Sequence, residues 1–298
     1  PYEDRVPQGD AVLPALEIAG RRNWASVVDW ALPLYPTDQP LPEELRTRVE
    51  DWRKTLGTEA AIVKALQTVQ DDVRYHAVLL GQSTHRPAPP AQTWTRRYGD
   101  CKDKALLLSG LLRALGHDAV PALVSLERGI GVEDALPAAT QFDHVIVRLR
   151  HDGQTLWLDP TLTRQKGPLA LRRANDHGVA LAIADGVDAL ERMGPAAPSR
   201  SESVERFEIE ADGRMRFTVE TRLTGPLAES RRQAWLGVDR EELQRHLADH
   251  YRRLHGELEV LQAPELIDND ETGVLLLREH YRLTQPWVST AGSIRQFD

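Results

Sequence analysis

The stretch RRYGDCKDKALLLSGLLRALG (96–116) holds the single cysteine of a 298-residue chain, followed by leucines at helical spacing. These leucines share one helix face, at positions 107, 108, 111, 112 and 115. Asp100 is a favourable N-cap, and Gly116 stands where glycine is favoured just past a helix end. The pattern therefore predicts a helix from Cys101 to Leu115, with the cysteine in its first turn.

A thiolate in that first turn faces unpaired backbone N–H groups and the positive end of the helix dipole, which both lower the pKa of a thiol. Lys102 and Lys104 favour the anion, whereas Asp100 and Asp103 oppose it, so charge counting leaves the net effect open. A cysteine can also pack as a small apolar residue. The flanking charges argue against that packing role, but position alone leaves both roles open for Cys101.

A second signal lies in FDHVIVRLR (142–150) and TLWLD (155–159), which are joined by an Asp-Gly step. Asp-Gly between alternating segments predicts a hairpin with a two-residue turn, so that Val147 faces Leu158. One face then collects apolar side chains, at 145, 147, 149, 156 and 158. The other face carries His144, Ile146, Arg148, Trp157 and Asp159. A slip of one residue would mix the two sets, which supports the register.

In this register His144 and Asp159 are diagonal neighbours, about 7–8 Å apart at the backbone. Asp159 could hold one ring nitrogen of His144 and direct the other towards a thiol. The alternative is an exposed strand histidine beside a turn aspartate. The helix of Cys101 favours the catalytic interpretation.

These three segments, with LWLDPT (156–161), resemble the transglutaminase-like superfamily of papain-type cysteine enzymes. In that family a Gly-x-Cys opens a helix, a histidine lies on a following strand and Asp-Pro-Thr ends the next strand. The resemblance implies an α+β fold with a papain/transglutaminase-like core, followed by a smaller β-rich α+β domain. It also implies that Cys101, His144 and Asp159 are catalytic.

The segment THRPAPPAQTWTRRYGDCKDKA (84–105) is similar to bacterial members whose core lies between two domains of unknown function. Residues 1–22 would then be the tail of an upstream domain or a linker, and 23–195 the transglutaminase-like core. Residues 204–298 would form a C-terminal α+β domain, for which truncation stays open. Relatives are often exported, so the resemblance implies a periplasmic or cell-envelope location.

The implied reaction is acyl transfer or hydrolysis at an amide bond of a peptide or protein. The oxyanion would take one hydrogen bond from the backbone N–H of Cys101. The candidates for a second donor are Tyr75, which we prefer, Gln70, Gln82 and Trp94. Two alternatives stay open: a true protein transglutaminase with an amine acceptor, and a non-catalytic binding module. Lys102 replaces the aromatic residue of animal transglutaminases, so crosslinking is not implied.

Composition bears on other function classes. The net charge of −8 argues against a nucleic-acid surface. The sequence has no phosphate-binding loop, zinc-ligand spacing or calcium loop, so we expect no cofactor and no metal. No apolar run is long enough to span a membrane. The oligomeric state stays open.

Three further predictions concern local structure. The proline-rich segment 85–94 is expected to be irregular. A single helix is expected over about 227–254. The Asp212-Gly213 step is expected to need a bulge or a longer loop, because a two-residue turn would place Phe207 and Phe217 on opposite faces. His85, His250 and His255 are expected to be surface residues rather than metal ligands.

Overall fold

The computed structural model describes residues 16–77, 85–235, 237–289 and 295–297. They form two compact units. Unit 1 contains the described residues up to Thr163 together with Pro168–Ala197, and unit 2 contains Arg164–Gly167 and the described residues from Pro198 onward. Each unit combines helices with an antiparallel sheet, so the fold class is α+β.

The helices of unit 1 precede most of its strands. They are α1 (Trp24–Ala31), α2 (Glu43–Thr55), α3 (Thr58–Asp72), α4 (Pro90–Arg96) and α5 (Cys101–Ala114). Short 3-10 helices occupy 32–34, 129–134, 139–141 and 169–171. None of the helices in the described ranges is both long and apolar enough to cross a membrane.

The main sheet of unit 1 has five antiparallel strands in the order β5-β4-β3-β6-β7. They are β3 (Asp118–Val124), β4 (His144–His151), β5 (Gln154–Leu158), β6 (Val179–Ala182) and β7 (Glu191–Arg192). Helix α5 packs across β3 and β4, and one apolar core joins its leucines to that sheet face. A separate parallel pair, β1 (Arg74–Tyr75) and β2 (Tyr98–Gly99), leads into α5.

The β4–β5 hairpin confirms the predicted register. Val147 pairs with Leu158, and Asp152 and Gly153 form the turn with φ of 48° and 74°. The predicted apolar face belongs to the core against α5. The opposite face is buried too, because Ile146 and Trp157 belong to a second apolar cluster.

The proline-rich segment corrects one prediction. Residues 85–94 were expected to be irregular, but α4 begins inside this segment at Pro90 and runs to Arg96. Proline is tolerated in the first turn of a helix, where its missing N–H would have had no helical partner. Arg97 ends the helix in the left-handed conformation, with φ of 57°.

Unit 2 is built on a four-stranded antiparallel sheet in the order β10-β11-β9-β8. Its elements are β8 (Arg200–Ile209), β9 (Met215–Thr224), α6 (Gly225–Trp235), α7 (Arg240–His255), β10 (Leu258–Asp268) and β11 (Leu275–Leu283), with a separate pair β12 (Trp287–Ser289) and β13 (Arg295–Phe297). The prediction of one helix over 227–254 is wrong. The helical segment is interrupted before Asp239. The side chain of Asp239 caps α7 by accepting a hydrogen bond from the N–H of Glu241.

The β8–β9 hairpin has the longer loop that was expected. Phe207 pairs with Phe217, which places both rings on one face, 4.6 Å apart between centroids. Residues 211–213 form the loop inside a hydrogen bond from the N–H of Glu210 to the carbonyl of Arg214. Gly213 supplies the positive φ of 86° that this loop requires.

Candidate active site

Cys101 is the first residue of α5, as predicted. Asp100 caps the helix by accepting a hydrogen bond from the N–H of Asp103 at 3.3 Å, and the Asp103 carboxylate accepts from the N–H of Asp100 at 3.3 Å. This reciprocal capping box fixes the first turn. Cys101 is partly exposed there, beside N–H groups that have no partner inside the helix.

Gly99 explains why a glycine lies two residues before the cysteine. A Cβ at this position would lie 2.8 Å from Cβ of Asp103 and 3.2 Å from Cγ2 of Thr93. Asp103 has little freedom to move, because it also accepts from the N–H of Ala88 at 2.7 Å and from Arg96 at 2.5 Å. The capping box therefore excludes a side chain at position 99.

His144 and Asp159 come together as the hairpin register requires. His144 begins β4 and Asp159 follows the last residue of β5. Nε2 of His144 lies 2.9 Å from Oδ2 of Asp159, and both residues are buried, at 7% and 4% exposure. Oδ1 of Asp159 accepts from the N–H and the hydroxyl of Thr161, at 2.8 and 2.7 Å. The carboxylate is thus anchored on one oxygen and holds the imidazole with the other.

Cys101 lies close enough to His144 for its thiol to act on the imidazole as well. Burial alone would lower the pKa of His144, but its hydrogen bonds to Asp159 and Cys101 and the charges of both raise that pKa to about 10. Burial alone would raise the pKa of Asp159, yet the bonds and charge of His144 and the bonds of Thr161 lower it. The geometry therefore favours an imidazolium between a carboxylate and a thiol.

The four candidate oxyanion donors differ in the contacts that their side chains make. Gln70 is buried, and its Nε2 donates to the backbone carbonyl of Asp159 at 3.0 Å, so it positions that residue. Trp94 donates its indole N–H to Glu44 at 2.7 Å. Gln82 lies outside the described residues. Tyr75 is 47% exposed, and burial together with the charges of Cys101, Asp100 and Asp159 raises its pKa. Among the three described candidates, Tyr75 is the one whose side-chain donor, a hydroxyl, makes no hydrogen bond to the described protein, and the charge of Cys101 acts on it.

Both lysines expected beside the thiolate have other contacts. Lys102 is buried and forms an ion pair with Asp100. Lys104 is fully buried, and its Nζ donates to the carbonyl of Val73 at 2.5 Å and approaches that of Gln70 at 3.5 Å. Burial lowers the pKa of Lys104 to about 8, against the charges of Asp159 and Asp71. Lys104 therefore holds the C-terminal end of α3 against α5.

Two residues near this site were not predicted. The ring of His177 lies 6.3 Å from that of His144, and burial and the charge of His144 lower the pKa of His177. Tyr35 is buried, and burial and the charge of Cys101 raise the pKa of its phenol. The burial of Lys104, by contrast, could be predicted from its position on the leucine stripe of α5. His177 and Tyr35 gave no such signal, because loops bring them to the site.

Of the three histidines expected at the surface, His85 and His250 are exposed, whereas His255 is half-buried, and all three lie beside aromatic rings. His85 lies 5.3 Å from Trp30, His250 lies 4.9 Å from Tyr251, and His255 lies 5.5 Å from Phe207, measured between ring centroids. Within the described ranges, no three His, Cys, Asp or Glu side chains are grouped as metal ligands.

Comparison with known proteins gives only distant similarity. No family model matches the sequence, and no curated protein matches it. A solved structure of a candidate cysteine protease from Cytophaga hutchinsonii is similar at 17% identity and a TM-score of 0.33, covering 56% of this chain and 54% of that one. A candidate protease from Parabacteroides distasonis is similar at 10% identity and a TM-score of 0.41, covering 87% and 51%. The chain spans about half the length of these structures.

Proposed function

We propose that this protein is a cysteine-dependent enzyme that acts on an amide bond of a peptide or protein through Cys101, His144 and Asp159. It either hydrolyses this bond or transfers the acyl group to another acceptor. The observation that carries the proposal is the 2.9 Å hydrogen bond between the buried His144 and Asp159, with Cys101 close enough to raise the pKa of the same imidazole. A buried carboxylate, an imidazole and a thiol in this order are the components of nucleophilic catalysis.

In the proposed reaction the thiolate of Cys101 attacks the amide carbonyl, forming a carbon–sulfur bond. The carbon–nitrogen bond then breaks, and the imidazolium of His144 gives its proton to the leaving amine. Neutral His144 next takes a proton from water, and the resulting hydroxide displaces the thiolate from the thioester. Asp159 is a positioning residue throughout, since it orients His144 and stabilises the imidazolium without accepting its proton.

The negative oxygen that forms during each attack needs hydrogen-bond donors. The N–H of Cys101, in the first turn of α5, is the proposed first donor. The hydroxyl of Tyr75 is the proposed second donor, because β1 pairs Tyr75 with Gly99, two residues before the nucleophile. Removal of this hydroxyl in Tyr75→Phe is expected to slow turnover without changing thiol reactivity.

The motif contexts of the three residues support placing 23–195 in the transglutaminase-like superfamily, with 204–298 as a separate domain. The later break between the two compact units, at Ala197 and Pro198, falls within the stretch that separates these ranges, whereas Arg164–Gly167 of the first range belongs to unit 2. The capping box and the hairpin register give physical reasons for two of the motifs. In these elements Cys101 lies at a helix start, and His144 and Asp159 lie at the ends of adjacent strands.

The test is the pH dependence of alkylation by iodoacetamide in the wild-type protein and in His144→Ala. Each reacted molecule reports on Cys101, because the chain has one thiol. We expect fast alkylation well below pH 8, slowed about 100-fold in the variant at neutral pH. A profile centred near about 8.5 and unaffected by His144→Ala would refute the proposal.

A further inference from the structure

The covered face of the unit 2 sheet has two separate apolar clusters. One contains Phe217, Tyr251 and Tyr281 and lies under α7. The other contains Leu223, Ala228 and Leu275 and lies under α6. Between them is a cavity of about 510 Å³, bounded by both helices and by β9 and β11. We call it the Glu279 cavity, after the charged residue on its floor. Its volume lies within the range of small-molecule sites, roughly 300–1,000 Å³.

Glu279 is the unusual feature of this cavity. Along β11 the residues of the covered face are Leu275, Leu277, Glu279, Tyr281 and Leu283. Glu279 thus interrupts an apolar row, and it is only 3% exposed. Its Oε2 accepts a hydrogen bond from the Tyr281 hydroxyl at 2.5 Å. Among the described residues, no lysine, arginine or histidine forms an ion pair with it.

Within the described part of unit 2, the charge of Glu279 is therefore uncompensated. Burial raises its pKa, the hydrogen bond from Tyr281 opposes that rise, and the charge of Glu205 adds to it. A buried carboxylate without a cation costs free energy that a bound cation would recover. The cavity wall supplies apolar surface for the rest of such a ligand, from Leu227, Trp235, Leu243 and Leu247.

The basic residues of the cavity lie at its mouth. Arg231, His246 and His250 are exposed, and the Arg231 guanidinium lies 5.8 Å from the ring centre of Trp235. Charges in contact with water are screened, whereas a charge at the buried floor acts through a lower dielectric. The carboxylate of Glu279 therefore determines which ligand charge the cavity favours.

We propose that the Glu279 cavity binds an organic cation, a small amine or quaternary ammonium with an apolar body. The cationic group would pair with the Glu279 carboxylate, and the apolar body would fill the space between α6 and α7. This site is independent of the proposed reaction at Cys101.

The test is calorimetric titration of the whole chain with three ligands of one shape: phenylbutylamine, phenylbutanol and phenylbutyrate. We expect the amine to bind at least about tenfold more tightly than the alcohol, and the carboxylate to bind weakest. Glu279→Gln should remove the preference for the amine. Glu208→Gln, which changes an exposed glutamate of β8, is the matched control and should keep it.

Circular dichroism and a thermal melt establish that Glu279→Gln is folded. As a second variant, Leu227→Trp fills the cavity but leaves Glu279 in place, and it should weaken binding of all three ligands. The proposal is overturned if the amine and the alcohol bind equally, if phenylbutyrate binds most tightly, or if no ligand binds at millimolar concentration. Cys101→Ser should leave amine binding unchanged, which separates this result from the fate of the proposed reaction.

Discussion

Asp159 in unit 1 and Glu279 in unit 2 are both buried carboxylates, at 4% and 3% exposure, but their surroundings differ. Asp159 accepts from His144 and twice from Thr161, and its cationic partner lies 2.9 Å away. Glu279 accepts from Tyr281 and has no cationic partner in the described chain. The pKa of Asp159 is lowered and that of Glu279 is raised, although burial acts on both in the same direction.

The difference shows that burial alone does not determine what a carboxylate does. Asp159 stays charged because the fold supplies hydrogen bonds and a cation, and that charge in turn keeps His144 protonated. Glu279 receives one hydrogen bond, so stabilising its charged form requires a cation that the described chain does not supply. The first pattern is the one expected of the proposed reaction centre, and the second is the one expected of the proposed cation site.

The largest expected difference between the two carboxylates is in thiol chemistry. Asp159→Asn should slow alkylation of Cys101 at neutral pH by about 100-fold, because His144 loses the charge that keeps it protonated. Glu279→Gln, an equally small change at the other buried carboxylate, should leave the rate unchanged. Rates for both variants by mass spectrometry check this. Equal alkylation rates in the two variants would contradict the proposed difference between the two carboxylates.

The second expected difference is in stability. Asp159→Asn should lower the free energy of unfolding by about 2 kcal/mol, because it removes one member of a buried charged pair. Glu279→Gln should raise it by about 1 kcal/mol, because it removes an unpaired buried charge. Urea denaturation at neutral pH, followed separately for each unit by a local fluorescent probe, measures both. A loss of similar size in both variants would show that Glu279 is structurally paired.

The third prediction concerns stability at alkaline pH. The pKa of His144 is about 10 in the folded protein, compared with about 6.5 when unfolded. Its contribution is therefore fully present below about pH 6.5 and is lost as the pH rises through the folded value. The urea midpoint of unit 1 should fall over this interval. In His144→Gln the fall should be much smaller, and an unchanged fall would contradict the assignment.

The smallest effect is expected at Lys104. Its contribution to stability changes with pH in the direction opposite to that of His144. Its pKa is lowered to about 8, compared with about 10.4 when unfolded. The folded state therefore gains stability as the pH rises between these values. In Lys104→Met the alkaline fall in the urea midpoint should become steeper. Lys104→Arg, which keeps a charge at every accessible pH, is the matched comparison and should also be steeper than wild type.

The parts of the structure that follow local rules could be predicted from sequence. Asp100 caps α5 because a side chain and nearby N–H groups suffice, and Asp152-Gly153 sets the β4–β5 register because turn geometry determines pairing. That register brings His144 and Asp159 together. The helix at Pro90 was missed because proline was interpreted as a breaker, although it is tolerated in a first turn.

The supporting residues could not be predicted in the same way. Gln70 reaches Asp159 across 89 positions of sequence, and His177 reaches His144 from a loop, so both contacts depend on packing of the whole unit. Lys104 and Glu279 are different, because each interrupts an apolar pattern that is visible in sequence. A charged residue inside an apolar stripe is a readable signal of burial, but its partner emerges only with the fold.

The most direct test of the central claim is an NMR titration of the His144 ring, assigned by difference from His144→Gln. If Asp159 and Cys101 keep this imidazole charged, its midpoint should lie near the folded value of about 10 and fall in Asp159→Asn. Glu279→Gln should leave the midpoint where it is in the wild type. A midpoint near about 6.5 that does not respond to Asp159→Asn would contradict the account.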